Sequence, residues 1–435
     1  QQIAKVLIAT GLASRDAVVR CAAAEGLRYA NDAAAGKALL GLLVKEKDPT
    51  VRLVATRSMV GLPEAVRRNL LPQLVAGDPS VRLVVPRLLQ GPADSKIAAQ
   101  LLASNDAQLS REVLRNASQI LDNAALRSAM GSADARTRAL AAQLLGERRD
   151  AASRDTLLAA LSDTDGDVRA ASAEGLGALI KGAKSPDPKI VAALVGVVKN
   201  EAGDYVGVKT GDKPADPATA VVTDKNSRAK AVAALVGLDN KDAVLAVRDA
   251  LQDSNADVLA AALSAFQVSK LGDQRTRLNA IMADAKMPAR VRQAAALAVW
   301  YSGMNIHPAA GEMPPVDPLA KPAAAKADAK ADDGKEAKKE LTEQDMVDKT
   351  LDAMVGLLND TNESVKTAAA VGLIGLGDDR GNKVLRDQIR SKNLEVRREA
   401  ARLLATLPAE RIAKLKGLKK EERDPVGLLF KDLYS

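Results

Sequence analysis

Side chains able to do catalysis are scarce in this sequence. His307 is the sole histidine and sits in a proline-rich stretch, so no Ser-His-Asp set forms unless His307 serves. Cys21 is the sole cysteine, which excludes an intrachain disulfide, paired-cysteine zinc sites and haem attachment. No glycine-rich phosphate loop occurs. The nearest approach to a cluster is Trp300-Tyr301-Ser-Gly-Met304-Asn-Ile-His307, with Met313 beyond. Thioether and imidazole suit a soft metal such as copper. The plainer reading is an aromatic packing contact at a repeat boundary, followed by the start of a linker. Trp and Tyr also lead the residue types that anchor protein partners, which makes Trp300, Tyr301 and His307 candidates for a partner surface. No cofactor and no metal are expected, and the chain reads as a non-enzyme.

The elements that would position these residues are repeated helices. The chain has 435 residues, 47% of them hydrophobic, yet only 2% are aromatic. Ala, Leu and Val make up the apolar fraction. Ala and Leu favour helix, and small side chains suit helices packed close together. The clearest internal copy is Asp165-Gly-Asp-Val168-Arg169-Ala-Ala171, matched by Asp48-Pro-Thr-Val51-Arg52 and Asp78-Pro-Ser-Val81-Arg82. Further copies fall at Val19, Val258, Val291, Val365 and Val396, with weaker ones near Leu109, Thr137 and Ala229-Lys230. Adjacent copies lie 30 to 33 residues apart, and each unit holds two helical patterns. In each unit Asp is placed to cap the second helix, and Pro49 or Pro79 fits its first turn. One pair cannot bury its own apolar face, so neighbours must stack. The expected fold is all-α, an α-solenoid superhelix of about eleven helix pairs.

The Asp-x-x-Val-Arg-x-x-Ala-Ala-x-x-Leu pattern resembles the bacterial HEAT-like repeats of the phycobilisome-lyase type, over most of the chain. The resemblance implies that Asp48, Arg52, Asp78, Arg82, Asp165 and Arg169 form a structural ladder of polar contacts between adjacent units. It also brings to mind di-iron hydroxylases of the HEAT class, but these require paired His-Glu motifs that one histidine cannot supply. A lyase role on a cofactor-bearing protein is an alternative implied by the name alone, since no chromophore pocket is recognisable.

The pattern is interrupted twice. Repeats one to nine occupy residues 1–302, with an insertion at 203–226 inside the seventh that carries Tyr205 and two short pieces able to pair as a hairpin. Residues 303–341 form a Pro/Ala/Lys/Asp-rich linker with nothing to bury. Repeats ten and eleven follow at 342–408. A basic helix and an apolar tail containing Phe430 and Tyr434 complete residues 409–435. The tail is expected to cap the last repeat or to dock on a neighbouring molecule. Tyr205, Phe430 and Tyr434 therefore join the partner-binding candidates.

The net charge of +8 is mild for this length and both signs are interspersed. With aromatic platforms nearly absent, nucleic acid is a disfavoured partner. No apolar run is long enough to span a membrane. The Gln1-Gln2 start and the linker composition tilt the expected location toward an exported or periplasmic bacterial protein. The function read from these features is a non-enzymatic scaffold or assembly subunit. It would bind a protein partner through the concave face lined by the second helices, through the insertions, or through the terminal repeats.

Overall fold

The computed structural model describes residues 2–30, 32–199, 225–267, 274–302 and 342–431. Among these residues every regular element is helical and no strand occurs. The fold is an α-solenoid, as the periodicity predicts. The insertion, its expected hairpin and the 303–341 linker lie outside the described residues. The chain divides into two compact units, Gln1–Ala160 and Leu161–Ser435.

The first unit contains α1 (Gln2–Val6) and α2 (Ala17–Leu27), α3 (Ala33–Lys45) and α4 (Pro49–Val60), then α5 (Glu64–Val75) with α6 (Pro79–Arg82) and α7 (Val85–Leu88). After these come α8 (Ser95–Leu102) and α9 (Ala107–Asn116), α10 (Asn123–Ala129) and α11 (Ala135–Glu147), and finally α12 (Arg154–Ala160). Second helices of consecutive pairs pack side by side: α2 on α4, α4 on α7, α7 on α9, and α9 on α11.

The second pair shows why this sequence folds so. Asp48 has an extended backbone, and its carboxylate accepts from the amides of Thr50 (2.8 Å) and Val51 (3.2 Å). Two of the orphan amides at the helix start are thereby satisfied, while Pro49 has no amide to orphan. Val51, Ala55 and Met59, one turn apart, are fully buried, and Ala55 and Met59 share a core with Leu39 and Leu43 of α3. Asp16, Asp78, Asp106, Asp134, Asp165, Asn255, Asn362 and Asn393 cap eight further second helices in the same way, whereas the helix Ala289–Tyr301 starts after Pro288 with no side-chain cap.

The third pair departs from the repeat. Its second helix breaks into α6 and α7, because Pro86 cannot donate to the carbonyl of Arg82 one turn earlier. Between α5 and the turn after α7 lies a cavity of about 150 Å³ lined by Glu64, Arg67, Arg68, Leu88, Gln90 and Asp94 among others. Arg67 is buried there and is satisfied by the carbonyls of Leu62 (2.9 Å) and Leu88 (2.8 Å).

The second unit opens on α13 (Gly166–Ile180). It continues with α14 (Pro188–Lys199) and α15 (Lys225–Leu235), α16 (Lys241–Asp249) and α17 (Ala256–Ser264), and α18 (Arg275–Ala283) and α19 (Ala289–Tyr301). Helix α15 begins at Lys225, inside the span assigned to the insertion from sequence, a boundary difference of two residues. Then come α20 (Glu343–Leu357) and α21 (Glu363–Leu376), α22 (Asn382–Ile389) and α23 (Leu394–Leu404), α24 (Ala409–Lys414) and α25 (Pro425–Lys431). Helix α18 packs on α20 and α19 on α21, so the pairs flanking residues 303–341 stack as direct neighbours.

Two features distinguish the end of this unit. Helix α21 is buried on nearly every side, from Val365 through Ile374, with α19, α20, α22 and α23 all against it. Above it Gln293 of α19 donates to Glu399 of α23 at 3.0 Å. The basic stretch expected as one helix is in fact α24 followed by a turn. Gly417 takes a φ of +78°, which ends helical geometry there, and Leu415 and Leu418 are buried as anchors. Helix α25 packs on α23.

Candidate protein-binding face

Where an arginine follows the ruler residue, it can take two tasks, and Arg20, Arg52 and Arg292 take both. It first closes its own turn: Arg20, Arg52, Arg138, Arg169 and Arg397 each donate to the carbonyl six residues earlier. It then reaches forward to the turn of the next pair. Arg20 meets Glu46 at 2.7 Å, and Arg292 meets Asp360 at 2.8 Å. Arg228 meets Asp253 in the same manner. Arg52 donates to Ser80 Oγ (3.1 Å), which donates to Asp78 at 2.6 Å. Arg111, one residue further along its helix than the others, takes the corresponding rung to Asp134 at 2.8 Å.

The six ladder residues named from sequence are therefore placed as follows. Asp48, Asp78 and Asp165 cap their own helices. Arg52 and Arg169 staple the preceding turn. Arg82 is half-buried, and its Nε has no hydrogen-bond partner among the described residues. The acids that receive the arginines were missed. Glu46, Asp253 and Asp360 each stand two residues before a cap, and each also accepts from the cap's own amide, at 2.9, 2.8 and 2.8 Å. The recurring acid-x-Asp/Asn spacing at 46/48, 163/165, 253/255 and 360/362 was the available signal. The hydrogen bond from Arg20, against the opposing effect of burial, holds the Glu46 carboxyl below its ordinary range. The weak copy read at Ala229-Lys230 sits two residues earlier, at Ser227-Arg228, because Arg228 is the buried residue that reaches Asp253.

With the ladder position committed to structure, the next outward position decides what the second helices present to solvent. It lies six residues after the ruler residue. In the first unit it holds Glu25, Arg57, Arg87, Arg115 and Gln143, all exposed. In the second unit it holds Glu174, Ala233 and Ser264, exposed, then Leu297 half-buried and Val371 buried. The face thus closes where α19 and α23 meet over α21, and Arg402 reopens it. Leu53, one turn before Arg57, is 58% exposed.

Of the partner candidates, Tyr205, His307 and Tyr434 lie outside the described residues, and Phe430 falls within α25. Trp300 and Tyr301 are half-buried at the end of α19, with ring centroids 4.6 Å apart. The indole of Trp300 lies directly over Gly375 of α21, where a β-carbon would overlap it. Among the described residues no group of His, Cys, Asp and Glu is arranged to hold a metal ion. No described helix is long and apolar enough to cross a membrane.

A family model described as HEAT repeats matches residues 123–207. No curated protein matches the chain. Solved structures that match the chain include an engineered protein, 17% identical over 100% of this chain and 99% of that one, with a TM-score of 0.32. The E. coli protein YibA is 17% identical over 79% of this chain and 98% of its own, with a TM-score of 0.39. Kap121p is 12% identical over 94% of this chain and 46% of its own, with a TM-score of 0.47.

Proposed function

We propose that the protein is a non-enzymatic scaffold that binds a protein partner along the exposed face of its second helices. The observation that carries this reading is the division of labour within each repeat. The position after the ruler residue is committed to fastening neighbouring pairs, while the position five residues further on is left to solvent in consecutive pairs. A row of side chains in fixed register on a rigid stack is what an extended segment of another protein can read. Within HEAT-type repeats, kinship with the phycobilisome-lyase type rests on the Asp-x-x-Val-Arg pattern and extends the same reading, since repeats of that type are used well beyond lyases.

The test is affinity capture with the full chain as bait from its native source, followed by cross-linking of whatever is retained. The proposal expects a stoichiometric protein partner whose cross-links fall on second helices. Recovery of no stable protein partner would sink it, and so would cross-links confined to first helices.

A further inference from the structure

The row Arg57, Arg87 and Arg115 has a charge pattern that selects its partner. Across the second helices of pairs two, three and four, residues 49–60, 79–88 and 107–116 hold six arginines and a single acid, Glu112. Three of the arginines, Arg52, Arg82 and Arg111, are half-buried at inward positions, where Arg52 and Arg111 form rungs of the ladder. The other three point outward from the same register position. Arg57 forms no ion pair among the described residues. Arg87 and Arg115 share Glu112, at 3.7 and 3.3 Å, so a carboxylate already sits between two rungs of this row. Glu25 and Gln143 occupy the same position on either side, which limits the basic row to three rungs.

Resting on the scaffold reading above, we infer that this row takes an extended acidic peptide whose carboxylates recur at every third residue. Packed helices stand about 8–10 Å apart, and three residues of chain in the extended polyproline II conformation, one full turn with every third side chain on the same face, span about 9 Å. One carboxylate per rung follows from those two lengths. Guanidinium groups bind carboxylates through paired hydrogen bonds, and Leu53 beside Arg57 offers an apolar contact to a side chain next to the first acid. A continuous phosphate backbone fits less well. It brings no apolar group to Leu53, and no aromatic side chain stands on these helices to stack a base.

The experiment measures fluorescence anisotropy of labelled nine-residue peptides added to the full chain at low salt. One peptide has Glu at every third position among serines, and a second has the same three Glu adjacent. The spaced peptide should bind more tightly than the clustered one. The triple variant Arg57→Gln, Arg87→Gln, Arg115→Gln should weaken it about tenfold, because each exposed pair adds only a modest increment. A parallel variant at exposed lysines elsewhere in the unit, Lys37→Gln, Lys47→Gln, Lys96→Gln, should change little, and circular dichroism confirms that both variants fold. Equal binding of the two peptides overturns the inference. So does undiminished binding by the arginine variant, or tighter binding of a thymidine oligonucleotide that the arginine variant loses. If the arginine variant still captures the native partner at full strength, this inference falls while the scaffold reading stands.

Discussion

Arg292 and Asp360 are 68 residues apart in sequence and form a 2.8 Å ion pair between the ninth and tenth helix pairs, each side chain at most 10% exposed. The same guanidinium donates to the carbonyl of Met287, so it fastens its own turn and the next one together. Removing one partner leaves the other charge buried without compensation. Asp360→Ala should therefore cost about 3 kcal/mol in urea-induced unfolding of the second unit. A loss within measurement error of zero would show that the stacking of α19 on α21 does not depend on this pair.

Trp300 offers a direct optical view of the same junction, being the only tryptophan in the chain. Gly375→Ala places a methyl group where the indole lies and should destabilise the junction by about 1–3 kcal/mol. Trp300 emission should shift to the red as the ring is pushed toward solvent. Unchanged emission would mean that the indole does not rest on Gly375.

Capping and fastening are separable at adjacent turn residues. Asp48→Ala removes two amide contacts and should cost about 1 kcal/mol. Glu46 joins the preceding pair through Arg20, so a double-mutant cycle of Arg20→Ala and Glu46→Ala should return a coupling of about 1 kcal/mol. The same cycle between Asp48 and Arg20 should return near zero. Equal coupling in both cycles would contradict the assignment of separate roles.

The C-terminal turn carries its own pH signature. Arg390 holds the Glu422 carboxyl, partly against the effect of burial, down to about 2 from an ordinary value of 4.5. A lowered folded pKa means that the carboxylate's contribution is complete above the unfolded value and fades as pH falls from 4.5 toward about 2. Amide protection in residues 409–431, taken relative to the intrinsic exchange rate at each pH, should fall across that window, and in the Arg390→Ala variant the fall should begin at higher pH. Identical profiles in the two proteins would remove Arg390 from the account.

The helix pairs were legible because their signals are local. Asp16, Asp48 or Asp165 followed by a Val and an Arg marks the start of a second helix by capping and periodicity alone. The fasteners were less legible, since Glu46 and Asp360 act on residues in a neighbouring pair and look like ordinary turn acids in isolation. Arg57, Arg87 and Arg115 share one register position, but only burial separates them from the arginines beside the ruler residues, and burial is a property of the fold. The enclosure of α21 could not be read at all. The sequence places 303–341 between α19 and the pair it packs against, and only the fold shows that this long stretch separates direct neighbours. The Pro86 break was legible in principle, because a proline in the second turn of a helix removes a hydrogen bond wherever it occurs.

The enclosure of α21 also bears on how such a chain changes over generations. Where a helix pair meets only its two neighbours, one copy can be gained or lost by unequal recombination and the stack closes again. At α21 the pairs on either side also meet each other, through Gln293 and Glu399. Excising or duplicating any of them would leave Val371 and its neighbours without the surfaces they now touch. Repeat number should therefore drift along the rest of the array and stay fixed here, so this segment should mark homologous positions even among relatives whose lengths differ.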